Sequence, residues 1–144
     1  MAIYFYRIQE EYGAFSNFSR HGVELDGAWW PTTEHYFQAQ KFEDESYREK
    51  IRLAETPRIA ADLGRSRAVP LRANWESVKD DVMYRAVLTK FQMHAEILQT
   101  LLSTGDEEII EKTTGDLYWG CGTNGSGKNR LGIILMRVRD QLRQ

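Results

Sequence analysis

Short β-branched and aromatic runs open the chain, and stretches with apolar residues three or four positions apart fill most of the remainder. Ile3–Tyr6 reads as a strand, and Glu10–Phe18, with Gly13 and Ser16-Asn17, as an irregular turning segment. Val23–Leu25, Asp26-Gly27 and Ala28–Trp30 have the shape of a hairpin closed by a two-residue turn. Its second strand runs into Pro31 and Thr32, whose fixed φ and side-chain oxygen suit a helix start, so a helix is predicted from there to about Glu43-Asp44. Ser46 with Glu49 predicts a capping box for a second helix, and Thr56-Pro57 opens a third that Gly64 is placed to end. Asn74 is expected to cap a long helix from Trp75 to about Phe91, burying Val78, Val82, Met83, Ala86 and Val87. His94 to Leu102 continues as a helix after a bend, with Gly105 ending it, while Ile109-Ile110 fits strand or helix equally. A last helix, capped by Asn129, carries the stripe Leu131, Ile134, Leu135, Val138 and Leu142. Roughly six helices, a few short strands and no alternating βαβ pattern predict one α+β domain over residues 1–144, predominantly helical.

Composition narrows the function classes only a little. The chain has 144 residues, 42% hydrophobic and 28% charged, as an ordinary globular domain does. A net charge of −2 and a pI near 5.9 speak against a strong electrostatic footprint for nucleic acid. Cys121 is the single cysteine, so neither a disulfide nor a thiolate zinc site is expected within the chain, and no histidine pair has metal-ligand spacing. No segment has the length of a membrane helix, and MAIYFYR lacks a signal-peptide pattern. A cytosolic protein without metal or cofactor is therefore expected.

Two stretches stand out. In WWPTTEHYFQAQKF, Trp29 to Phe42, helical geometry puts Glu34, Gln38 and Lys41 on one stripe beside Phe37. That stripe is either a solvated face with weak i,i+4 pairing, which spacing alone favours, or the floor of a polar pocket. The second stretch is DLYWGCGTNGSGKNRLG, Asp116 to Gly132. Gly120-x-Gly122-x-x-Gly125 matches a dinucleotide-binding pattern, but one helix comes after it rather than a βαβ unit. Gly122 to Lys128 nearly matches a phosphate loop, yet Asn129 stands where a metal-binding hydroxyl belongs. The loop then reads either as an anion cradle of backbone N–H groups with Lys128 and Arg130, or as a long surface turn. Trp119 beside it favours ligand binding.

Taken together, Ser16-Asn17-Phe18, Trp30-Pro31-Thr32-x-Glu34-His35-Tyr36-Phe37-Gln38-Ala39-Gln40-Lys41-Phe42, and Asn74-Trp75-Glu76 with Val82-Met83 resemble the YbiA-like proteins, or NADAR domain family. Asp116-x-x-Trp119-Gly120-x-Gly122, Gly127-x-Asn129-x-Leu131-Gly132 and Leu135-Met136 continue the resemblance in the same order, over essentially the whole chain.

The resemblance implies cleavage of a C1′–N bond between ribose and an amino-bearing heterocycle. Members similar to this chain hydrolyse ribosylamino-pyrimidine phosphates, early intermediates of riboflavin biosynthesis, to ribose 5-phosphate and an aminopyrimidine. Other members remove ADP-ribose from guanine, so nucleic acid enters only as an ADP-ribosylated substrate. A non-catalytic module that binds NAD or ADP-ribose is a third reading. On the first reading Glu34 is the general acid/base and Asp116 a second carboxylate. Lys41 either attacks C1′ of the opened sugar as a Schiff-base lysine or stays charged and holds phosphate. Trp75 and Trp119 are candidates to stack on the heterocycle, Trp30 and Gln38 supporting contacts, and Asn17 a reader of hydroxyls or base edges. Gly120, Gly122, Lys128 and Asn129 are expected around the 5′-phosphate, with Arg65, Arg67 and Arg72 as second choices. Nothing in the sequence fixes an oligomeric state.

Overall fold

In a computed structural model, which describes residues 1–143, the order of elements is β1 (Ala2–Phe5), β2 (Val23–Leu25), β3 (Ala28–Trp30), α1 (Thr33–Ala39), α2 (Glu45–Arg52), α3 (Pro57–Arg65), α4 (Trp75–Met93), α5 (Ala95–Ser103), β4 (Glu108–Glu111) and α6 (Arg130–Leu142). A short 3-10 turn at Gly13–Phe15 lies between β1 and β2. The architecture is α+β and mostly helical, with two separate two-stranded sheets. No described helix is long and apolar enough to cross a membrane.

The hairpin forms as its sequence dictates. Asp26 and Gly27 both take positive φ, 56° and 79°, the geometry a tight two-residue turn requires, and Val23 pairs with Trp30 across it. Thr32 caps α1, its hydroxyl oxygen accepting from His35 N–H at 3.1 Å. The helix is shorter than predicted: it stops at Ala39, and Lys41 N–H and Phe42 N–H bond back to Gln38 and Ala39 in a tighter turn. The cap of α2 is Asp44 rather than Ser46; its carboxylate accepts from Tyr47 N–H at 2.9 Å. Thr56 and Pro57 start α3 as predicted, but Gly64 lies inside the helix, which ends at Arg65. Asn74 makes no side-chain cap on α4, because its amide oxygen takes Arg72 Nε–H at 2.8 Å instead. Asn129, too, does not cap α6 with its side chain. It sits at φ 53° and spends both side-chain polar atoms on β4, accepting from Glu111 N–H at 3.0 Å and donating to Ile109 O at 2.9 Å.

Ile109-Ile110 resolves as a strand. β4 pairs in parallel with β1, Ile109 opposite Ile3 and Glu111 opposite Phe5. Two buried apolar clusters form the core. Phe5, Phe15, Phe37, Met83, Phe91 and the α6 stripe make one; Val23, Trp30, Tyr36, Phe42 and Ile51 make the other. Helix α1 lies between them, sending Phe37 into the first and Tyr36 and Ala39 into the second. All seven of its residues are buried. The reading of its polar stripe as a solvated face is thereby overturned: α3, α2, α4 and β3 pack around it.

Candidate active site

Because both flanks of α1 are occupied by apolar packing, its third side, Glu34 and Gln38, opens on a cleft of about 400 Å³. Lys41, in the turn after α1, faces the same cleft. Gln38 Nε2 donates to Glu34 Oε2 at 2.7 Å, while Gln38 Oε1 is buried with no partner among the described residues. Glu34 N–H, an orphan of the helix's first turn, donates to Asn17 O at 3.2 Å, which ties α1 to the Ser16–Phe18 segment that also lines the cleft. Burial raises the pKa of Glu34, and Asp116 adds to this; Gln38, Lys41 and Arg65 only partly oppose it. Lys41 Nζ makes no hydrogen bond or ion pair among the described residues and lies 5.8 Å from the Phe37 ring centre. Burial pulls its pKa down to about 8, against the pull of Glu34 and with help from Arg67, Arg65 and Lys79.

The other predicted residues divide. Asn17, Gln38, Asp116 and Trp119 line the cleft with Glu34 and Lys41. Asn17 is buried and already engaged, accepting from Thr33 Oγ1 at 2.8 Å and donating to Met83 Sδ at 3.3 Å. Asp116 is exposed at the mouth, where its Oδ1 accepts from Tyr118 and Trp119 N–H and so orients Trp119. Trp119 packs edge-on to Phe37 with ring centres 5.3 Å apart. Trp75 does not reach the cleft: it is buried behind Phe37 in the core, where its apolar area is better used. Trp30 likewise lies in the second core cluster, its indole N–H bonded to Leu25 O at 3.1 Å.

The glycine loop is not an open anion cradle. Many of its amides donate within the protein: Cys121 N–H to Glu111 O, Gly122 N–H to Thr113 Oγ1, Gly127 N–H to Cys121 O, Lys128 N–H to Leu117 O and Asn129 N–H to Gly120 O. Even the first N–H groups of α6, from Arg130 and Leu131, go to Tyr118 and Trp119 carbonyls. Gly120 and Gly122 serve this folding, Gly120 because a Cβ there would strike Thr113, and Gly122 through φ 73°. Lys128 is exposed outside the cleft, near the Tyr118 ring.

Cationic charge reaches the cleft from a different element: Arg65, at the end of α3, lines it close to Lys41. Arg67 acts on Lys41 but donates to Gly64 and Ser66 carbonyls, and Arg72 ties the Lys41 segment down through its N–H to Lys41 O at 2.8 Å. One lining residue is not evident from the sequence pattern. Glu111 ends β4 on the same face as buried Ile109, since strand side chains alternate, and so points inward to the cleft. Burial, with Asp116 and Glu34 adding to it, pushes its pKa up to about 8. The signal for it is the two-residue alternation along β4, which puts Glu111 on the face of buried Ile109.

Comparison with known proteins places this chain in a wider group. The NADAR domain model matches residues 4–143. The chain is 54% identical over 140 residues to the N-glycosidase YbiA of Escherichia coli, covering 97% of this chain and 88% of that protein. It is 41% identical over 155 residues to the riboflavin biosynthesis protein PYRR of Zea mays, covering 97% of this chain but 25% of the longer plant protein. The NMR structure of E. coli YbiA superimposes with a TM-score of 0.92 at 52% identity, over 99% of this chain and 85% of that one.

Proposed function

The chain belongs to the NADAR domain family, and from that premise we propose that it is an N-glycosidase hydrolysing the C1′–N bond of ribosylamino-pyrimidine phosphates to ribose 5-phosphate and the free aminopyrimidine. The observation that carries this reading is the placement of Glu34 and Lys41, an acid and an amine whose burial favours the neutral form of each, both facing one cleft from the enclosed α1 segment. Cleaving the bond needs a proton on the departing nitrogen and stabilisation of positive charge at C1′. Neutral Glu34 supplies the proton. Lys41, as the free amine, adds to C1′ of the ring-opened imine; the C1′–N bond to the heterocycle then breaks, its nitrogen leaving with the proton from Glu34. The resulting Lys41 Schiff base takes up water and releases the aldehyde of ribose 5-phosphate, which returns the amine. Arg65 is the phosphate contact in this arrangement, in place of the glycine loop. Trp119 is the ring available for stacking on the heterocycle.

The test is to incubate the purified protein with ribosylamino-pyrimidine phosphates and, separately, with DNA carrying ADP-ribosyl-guanine, and to score release of each base. Release of aminopyrimidine with equal ribose 5-phosphate is the expected result. Turnover of the DNA substrate alone would overturn it in favour of a de-ADP-ribosylating hydrolase, and ADP-ribose binding without turnover of either substrate would point to a sensing module.

A further inference from the structure

The cleft has a direction. Around Lys41 the nearby cations are Arg67, Arg65 and Lys79, whereas both charged groups acting on Glu111 are carboxylates, Asp116 and Glu34. Glu34 is acted on by groups of both sets, Lys41 and Arg65 and also Asp116, and all of them line the one cleft. On the N-glycosidase reading the phosphate is held by Arg65 beside Lys41, and what the ribose carries at C1′ then lies past Glu34, toward Glu111.

At that end the cleft does not close. A second cavity of about 470 Å³ adjoins it, sharing Tyr6, Ser16, Phe18 and Glu111 as a common wall. Ile8 and Pro57 add apolar surface beyond them, and Arg7 and Arg20 also line the recess. Glu111 is half-buried at the junction, and its carboxyl has no hydrogen-bond or ion-pair partner among the described residues. Its backbone, by contrast, is fixed on both sides: the N–H donates to Asn129 Oδ1 at 3.0 Å and the C=O accepts from Cys121 N–H at 3.0 Å. An unpaired carboxyl group on a fixed backbone, set between a reaction cleft and an aromatic-walled recess, is built to pair with something that enters.

We propose that this recess is the subsite for the leaving heterocycle and that Glu111 is the specificity-determining residue that reads the heterocycle's edge by two hydrogen bonds. The proposal rests on the N-glycosidase reading for its orientation of the substrate. The chemistry it selects is an amino-lactam edge, a ring N–H flanked by a carbonyl and an amino group. A protonated Glu111 gives its O–H to the ring carbonyl and accepts the ring N–H; an ionised one accepts the ring N–H and the amino N–H together. Tyr6 and Phe18 offer the apolar faces against which such a flat ring packs. An aminopyrimidine and a guanine share that edge, and turnover of the pyrimidine substrate against the DNA substrate separates them.

Two variants test it. Glu111→Gln keeps one donor and one acceptor at the same reach and is expected to lose about threefold in kcat/KM. Glu111→Leu removes both and is expected to lose ~10–100-fold, mostly through KM, the cost of two hydrogen bonds in a half-buried site. If Glu111 were instead the general acid, Glu111→Gln would lower kcat by ~10²–10⁴ with little change in KM, and the proposal would fall. Fragment binding by NMR separates this from the parent reading. Isocytosine is expected to shift resonances at Tyr6, Phe18 and Glu111, and N3-methylisocytosine, with the edge blocked, to leave them unmoved. Ribose 5-phosphate is expected to shift Lys41 and Arg65 in every variant. Equal binding of the two fragments, or isocytosine shifts confined to Lys41 and Arg65, overturns the subsite. Failure of ribose 5-phosphate alone overturns the parent orientation instead.

Discussion

Gln38 lies one turn beyond Glu34 on α1 and donates to it at 2.7 Å, inside a helix with no exposed residue. This bond pulls the carboxyl toward its ionised form, while burial, the larger influence, favours its neutral form. Burial therefore favours the proton on Glu34, and the bond from Gln38 fixes the orientation in which the carboxyl presents it. A surface i,i+4 pair would do neither, because water would hydrate the carboxylate and the side chains would swing.

Replacing Glu34 by Gln should separate activity from stability. As a positioned acid its loss lowers kcat by ~10²–10⁴. Stability moves the other way. The folded pKa lies above the ordinary 4.5, so the folded state holds a proton that the unfolded state releases, and wild-type stability falls as pH rises above 4.5 toward the folded pKa. Glu34→Gln lacks that slope. Its Tm should exceed wild type at pH 8 by more than at pH 5, and parallel melting curves across that range would count against the buried neutral acid.

Lys41 and Glu34 together predict a bell-shaped kcat profile. The amine must lose its proton, so the acid limb rises toward about pH 8; the carboxyl must keep its own, which sets the alkaline fall. Borohydride added during turnover should trap ribose 5-phosphate on Lys41, located by peptide mass spectrometry. Lys41→Arg, permanently charged, should give no adduct there and no turnover. An untrapped wild type with intact activity removes the Schiff-base step and leaves Lys41 an electrostatic role.

Gly64 is where α3 meets Gln38. A Cβ at that position would strike Gln38 Oε1 and lie 3.0 Å from the Gln38 Cβ. Gly64→Ala therefore displaces the amide from Glu34 rather than the helix backbone. A stability loss of ~1–3 kcal/mol, typical of overpacking, is expected in urea denaturation, together with a kcat decrease and a shift of the pH profile's alkaline limb. Unchanged kinetics would show that Gln38 has no part in tuning Glu34.

How much of this is legible in the sequence differs from element to element. The hairpin turn at Asp26-Gly27 and the Thr32 and Thr56 caps arise from local chemistry, and they form as predicted. The burial of the Glu34–Gln38 stripe is not legible, because periodicity gives a side chain's face but not what tertiary packing sets against that face. The glycine loop misleads for a related reason: glycines announce unusual φ, yet whether their N–H groups point outward or back into the protein is decided by Glu111, Thr113, Leu117 and Tyr118, the partners that fold against them. Asn129 suggests a cap and phosphate contact by its residue type alone. Its amide instead completes β4, a strand too short and too mixed in pattern to be assigned from sequence.

Lys90 offers a test of the wall facing Glu34. It is 1% exposed on α4, and its Nζ donates to Ser16 O at 2.9 Å, which holds the Ser16–Phe18 segment against the helix. No carboxylate pairs with it among the described residues, and burial brings its pKa down to about 7. His21 is a neighbouring titratable group, and its own pKa is lowered by burial and by Lys90. Between about pH 7 and the ordinary 10.5 the unfolded state binds a proton that the folded state does not, so wild-type stability gains with rising pH through that window. Lys90→Met preserves length and apolar packing but removes both the slope and the bond to Ser16. The Tm of Lys90→Met relative to wild type should thus be most favourable at pH 6 and fall steadily toward pH 10, a difference in which Glu34, Lys41 and Glu111 cancel because both proteins retain them. A loosened Ser16–Phe18 wall should also raise KM several-fold at any pH, and a KM equal to wild type would show that the wall keeps its place without the lysine.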